Sequence, residues 1–195
     1  MALSYPINTP TTIGIESIEL RASNVVATSQ SPFTYKQQVI SHSGQRWEAS
    51  VRIPSVRKDL AAAWKAFLVS LKGKEGTFLL GDPDYTSPRG TANSVVVTGS
   101  QGDESVSVVM KGTLLAGDYI QLGTGANAKL HTVLQDQDGD GTLEIWPALR
   151  DDYSSVSAVL SNPKGVFRLA QNTNSWNINN SGFYSISFEA VEVIT

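Results

Sequence analysis

A chain of 195 residues and 20.9 kDa holds one domain or two small ones, and 41% hydrophobic residues are enough to bury a core. Charged residues are only 17%, the net charge is −3 and the pI is about 5.3, which excludes a disordered chain and a nucleic-acid binder acting through a basic field. Cysteine is absent, so disulfide scaffolds, thiol catalysis, Cys-ligated zinc and iron–sulfur clusters are excluded together.

In chain order, residues 1–6 show neither the basic nor the apolar region of a signal peptide, and no stretch approaches the roughly 18 apolar residues of a membrane span. Residues 12–20, with Ile13, Ile15, Ile18 and Leu20, predict a strand. The polar segment 23–36 reads either as a surface loop or as a stretch of lumen or inter-subunit contact, with Ser29, Gln30, Phe33 and Tyr35 as its candidate interface residues. His42 sits in what reads as a polar turn, Ser41-His42-Ser43-Gly44. Trp47, Ala49, Val51 and Ile53 then alternate with Arg46, Glu48, Ser50 and Arg52, the mark of a half-buried antiparallel strand that Pro54 should end.

One helix is predicted next, capped by Ser55 and closed near Gly73. Val56, Leu60, Ala63, Trp64, Phe67, Leu68 and Leu71 fall on one apolar stripe of about four turns, suited to covering a sheet. Trp64 is expected in the core, with Trp47 as its partner on the sheet. A short strand at 77–80 leads into a turn-rich passage, 81–90, whose prolines and glycines mark a boundary.

Between 93 and 161 the texture changes to short, evenly spaced strands: 95–98, 106–110, 119–122, 129–134, 142–146 and 156–160. This spacing predicts a small OB- or SH3-like barrel, with Trp146 in its core. The turn 162–165 closes the section. Strands at 166–169 and 184–190 resume the first style, separated by an Asn-rich loop, 171–181, in which Trp176 is an interface candidate. The layout implies an insertion: a first module over 1–85 and 165–195, and an inserted barrel over 86–164.

Signals for chemistry are sparse. His42 and His131 lie far apart with no metal-type spacing, Gly123-Thr124-Gly125 reads as a hairpin turn, and Asp103/Glu104 and Asp151/Asp152 read as solvated turn residues. Asp136-Gln137-Asp138-Gly139-Asp140-Gly141 matches the opening of a calcium loop, making Asp136, Asp138 and Asp140 candidate ligands. Its twelfth position is Pro147 rather than Glu, and the competing reading is an acidic hairpin tip. No nucleophile elbow, phosphate loop or dinucleotide fingerprint appears.

A series of structural motifs is familiar. Arg46-Trp47-Glu48-Ala49-Ser50-Val51 precedes Trp64-Lys65-Ala66-Phe67-Leu68, then Leu71-Lys72-Gly73-Lys74-Glu75-Gly76-Thr77-Phe78-Leu79-Leu80-Gly81-Asp82-Pro83. Leu115-Ala116-Gly117-Asp118-Tyr119-Ile120-Gln121-Leu122, Ile145-Trp146-Pro147-Ala148-Leu149-Arg150, Gly165-Val166-Phe167-Arg168-Leu169 and Phe188-Glu189-Ala190 follow. The series covers most of the chain and resembles the distal tail proteins of long-tailed bacteriophages, found at the junction of tail tube and baseplate. The resemblance implies a mainly β fold with one α-helix: a tail-tube-like β-sandwich or split barrel carrying an inserted small OB/SH3-like barrel. It further implies a homo-hexameric ring in the virion that continues the tail tube, contacts the tube protein and the baseplate hub and fibre proteins, and lets DNA pass through its lumen. No catalysis, cofactor or membrane enters that role. The alternative function is recognition of host-surface carbohydrate by the insert, for which an aromatic platform on the barrel is the expected signature, or the role of another minor tail protein. A wall along which DNA slides should be neutral or acidic, because few counterions are then released on contact.

Overall fold

The computed structural model describes residues 3–194; Met1, Ala2 and Thr195, which the two-module reading includes, lie outside the described residues. Among the described residues the chain is mainly β with one α-helix, and no helix is long and apolar enough to cross a membrane. The first elements are β1 (Ile7–Asn8), β2 (Ser17–Gln30), β3 (Gln37–Arg57), α1 (Lys58–Ser70) and β4 (Thr77–Leu80). Next come β5 (Ser94–Gly99), β6 (Ser105–Lys111), β7 (Thr113–Leu114), β8 (Tyr119–Leu122), β9 (Lys129–Val133), β10 (Gln137–Asp138), β11 (Gly141–Trp146) and β12 (Tyr153–Ser157). The chain ends with β13 (Gly165–Leu169), β14 (Trp176–Ile178) and β15 (Phe183–Glu192).

Strands before Leu80 and after Gly165 share one sheet, in the order β1-β4-β13-β15-β3-β2, with β14 added beside β15. Strands between Ser94 and Ser157 form a second sheet, in the order β12-β5-β6-β11-β9-β8, with β7 and β10 paired separately. The second sheet curls until its ends meet, where Gln121 and Val159 exchange backbone hydrogen bonds at 3.0 and 2.8 Å. The chain crosses between the sheets at two adjacent points. A Cβ on Gly81 would overlap the Pro163 carbonyl, and Asn162 donates its N–H to the Thr86 carbonyl at 3.1 Å. Fully buried Asp118 fastens the outgoing crossing: its Oδ1 accepts from the Arg89 backbone at 3.0 Å and Oδ2 from the Leu115 backbone at 2.9 Å.

Alternation in β3 does what the pattern dictates. Trp47, Ala49, Val51 and Ile53 are buried, and with Ile186, Phe188 and Ala190 of β15 they make the face that α1 covers. Helix residues Ala61, Trp64, Phe67 and Leu68 close the layer, while Leu60 points outward. Phe67, Phe78 and Phe188 meet edge to face or tilted around this centre, with centroids 5.4–6.4 Å apart.

Several expectations are corrected. Pro54 does not end β3. It lies where Tyr184 pairs with Val56 and Ile186 with Ile53, so Pro54 and Ser55 bulge opposite Ser185 and the missing N–H of proline costs no ladder bond. Ser55 is therefore strand, and the helix starts behind Arg57 without a side-chain cap. Trp47 does not pack on Trp64. It meets Trp146 edge-on at 4.6 Å and Tyr119 at 6.1 Å, and its Nε1 donates to the Leu130 carbonyl of β9 at 2.9 Å. Trp146 accordingly belongs to the first core rather than to the core within the second sheet. The final strand of the second sheet is Tyr153–Ser157, earlier than predicted, and the loop 171–181 contains β14.

Candidate assembly interface

The main departure from expectation lies between residues 23 and 45. Neither a loop at 23–36 nor a turn at 41–44 is present; β2, of 14 residues, and β3, of 21, run on as one hairpin. Their pairing continues from Ser17 opposite Arg52 to Gln30 opposite Gln37. A bulge interrupts it after the Asn24–Gln45 pair, where Val25 faces His42, Ser43 and Gly44 before pairing resumes at Val26–Ser41. Gly44 is needed there, because a Cβ would press on Val25 Cγ2 at 2.7 Å. Residues 31–36 form the tip, closed by Ser31 N–H donating to the Lys36 carbonyl at 3.0 Å and by Tyr35 in a left-handed conformation, φ 55°.

Beyond the bulge, nothing among the described residues lies under the ribbon. Val25, Val26, Val39 and Ile40 are about half exposed or more, on both faces, and Phe33 and Tyr35 at the tip are 92% and 75% exposed. The outer edges are also free. β2 is terminal in its sheet, and β15 leaves β3 at Glu48. Six residues of β2 past Asn24 reach about 20 Å at the usual rise of a strand. The ribbon bears one formal charge between Asn24 and Gly44, Lys36.

Sequence candidates Ser29, Gln30, Phe33 and Tyr35 all lie on this ribbon and are brought together at its far end. Trp176 is not with them. It is half-buried in β14, packs against the first core and pairs with Ile186. Sequence reading placed Val25 and Val26 inside the candidate contact segment without singling them out and missed Val39 and Ile40; the signal for all four was two apolar doublets in polar surroundings, one on each strand of the hairpin.

The calcium candidates do not converge. Asp136 Oδ1 accepts from the Ala116 backbone at 2.8 Å, Asp138 Oδ1 from the Thr113 hydroxyl at 3.0 Å and Asp140 Oδ1 from the Met110 backbone at 2.8 Å. The acidic hairpin tip does not form either: β10 and β11 run on beside β7 and β6, Gly139, at φ +67°, sits in the irregular step between them, and the carboxylates are spent on β6, β7 and their neighbours. Among the described residues no group of three His, Cys, Asp or Glu side chains could hold a metal ion.

The root of the ribbon borders a cavity of about 620 Å³ lined by Ser41, His42, Gln45, Glu104, Arg150 and Ile194, among others. Behind it lies a buried ion pair, Arg150 Nη2 to Glu192 Oε2 at 3.0 Å, and the same oxygen accepts the Trp47 N–H at 3.0 Å. His131 is fully buried nearby. Burial pushes its pKa down to about 4, with the Arg150 and Lys129 charges adding to the effect against the Pro147 hydrogen bond. Its Nδ1 lies 2.7 Å from the Pro147 carbonyl, which can only accept, so the neutral ring carries its proton on Nδ1. This group holds two sheets together through the Arg150–Glu192 pair and the Trp47 N–H on Glu192. The strongly exposed aromatics, Phe33 and Tyr35, stand on the ribbon; the strongly exposed large apolar side chains of the second sheet and its loops are Val109 and Leu134.

The chain matches no known family model, and no curated protein sequence matches it.

Proposed function

We propose that this protein is a ring-forming structural component of a phage tail, of the distal tail protein kind, with no catalytic step. What supports the reading is the ribbon. A two-stranded hairpin in water is marginal by itself, and this one has exposed apolar side chains on both faces and unpaired backbone on both edges. Two different free edges on one subunit favour head-to-tail pairing with further copies, a contact that closes into a ring when the rotation per copy is right. Six copies are the number the resemblance implies. The single charge on the ribbon suits a lumen that DNA crosses without being gripped.

In this reading residues 1–85 and 165–195 form the tube-like module, a β-sandwich or split barrel. Residues 86–164 form an OB/SH3-like barrel facing outward, toward baseplate hub and fibre proteins. Membership of the two sheets and the Gln121–Val159 closure support that division. The tail tube protein is the axial neighbour, and the assembled ring belongs to the virion.

Mass photometry over a concentration series tests it. The account expects a discrete species at a fixed multiple of 20.9 kDa, lost in the double substitution Val39→Glu, Ile40→Glu with the thermal midpoint of the monomer unchanged. A strictly monomeric chain at all concentrations, alone and with tail tube protein, counts against it.

A further inference from the structure

The ribbon leaves the body of the protein at one rung, and that rung is gripped from outside its own sheet. Asn24 and Gln45 are the last pair before the bulge. Trp146 Nε1 donates to Asn24 Oδ1 at 2.8 Å. Gln45 is held three times: its side-chain oxygen accepts the Ala148 N–H at 2.7 Å, its Nε2 donates to Glu104 Oε1 at 2.6 Å, and its backbone carbonyl accepts Arg150 Nη2 at 2.7 Å. All four partners come from the second sheet and its loops. Trp146 ends β11, Ala148 and Arg150 follow it directly, and Glu104 immediately precedes β6. The grip has a rigid backing, since Trp146 stacks edge-on against Trp47 and Arg150 is pinned by buried Glu192.

We propose that the Asn24–Gln45 rung is a clamp through which the second sheet sets the direction in which the ribbon projects. Bulges are where strands bend, and a two-stranded ribbon is free to twist and tilt about one. Over an arm of about 20 Å, a tilt of roughly 10–15° moves the tip by about 4–5 Å, the spacing between neighbouring strands. An unclamped ribbon would therefore sample the width of a whole strand, and a clamped one would present its edges in a fixed place. The consequence for assembly rests on the ring reading, but the clamp itself is a property of one chain. It also gives the outward module a role in assembly: whatever displaces the 146–150 segment or Glu104 moves the ribbon.

The absence of cysteine makes the test direct. Ser29→Cys on the ribbon and Ser107→Cys on β6, both exposed, take spin labels, and double electron–electron resonance reads their distance at a dilution where the chain is monomeric. The parent should give a narrow distribution. Asn24→Ala with Gln45→Ala should make it roughly twofold broader, as expected of a bend point freed from its support, with the melting midpoint of the body retained. Glu104→Ala removes one hydrogen bond from the exposed side and should broaden it less. If the double variant fails to fold, Glu104→Ala decides alone. Equal widths in the parent and the folded variants, whether narrow or broad, overturn the clamp. Because the measurement is made on monomers, a failure to form rings leaves this comparison intact.

Discussion

His131 ties the stability of the protein to pH. Its folded pKa of about 4 lies below the ordinary 6.5, so between those values the unfolded chain binds a proton that the folded chain refuses. Its contribution is complete above about pH 6.5 and is lost as the pH falls toward 4, amounting to as much as about 3 kcal/mol. Urea midpoints at pH 7.5 and pH 4.5 check this: the parent should lose about 2–3 kcal/mol that His131→Asn does not. An equal loss in both places the acid sensitivity elsewhere. At this scale the sequence was partly legible. Trp64 and the inward face of β3 followed from spacing, because helix and strand periods report one buried side. Trp47 and Trp146 were assigned to separate cores, because spacing along a chain carries no information on which of two cores an aromatic enters. The burial of His131 was equally invisible, since its partner is a backbone carbonyl and backbone leaves no mark in composition.

Elements were legible wherever one face is wet and the other dry. Strands at 77–80 and 119–122, and those near 106, 142 and 166, alternate or cluster clearly and sit where predicted. The ribbon was missed for the opposite physical reason. Residues 25–44 expose both faces, so no alternation exists to be read, and polar side chains in a row resemble a loop. Propensity still favoured strand, through Val25, Val26, Thr28, Val39 and Ile40. Because the ribbon buries so little within its own chain, it should be dispensable for folding. Replacing residues 25–44 with Asn-Gly lets a two-residue turn close directly on the Asn24–Gln45 rung. The melting midpoint should stay within about 5 °C of the parent, a shift equivalent to about 1–2 kcal/mol, while all higher-mass species vanish. A collapse of the midpoint would mean that the ribbon belongs to the monomer core.

Across the whole molecule, the division of the chain into an interrupted outer sequence and a continuous middle was visible in its turns, because prolines and glycines concentrate where the chain crosses between sheets. The seam between the sheets was not. It is made of Trp47, Trp146, Tyr119, Leu130 and the Arg150–Glu192 pair, residues distributed over both halves, and it ties the second sheet to the root of the ribbon. The reading as a tail ring depends on where the ribbons go when many copies meet. A cryo-EM map of the purified assembly, or of a tail tip that contains it, decides this most directly. The account predicts a closed ring whose inner wall is a continuous barrel of β2–β3 ribbons paired edge to edge, with the second sheets outside. Ribbons pointing outward into solvent, or a chain packed with its ribbon folded back on its own body, would contradict it.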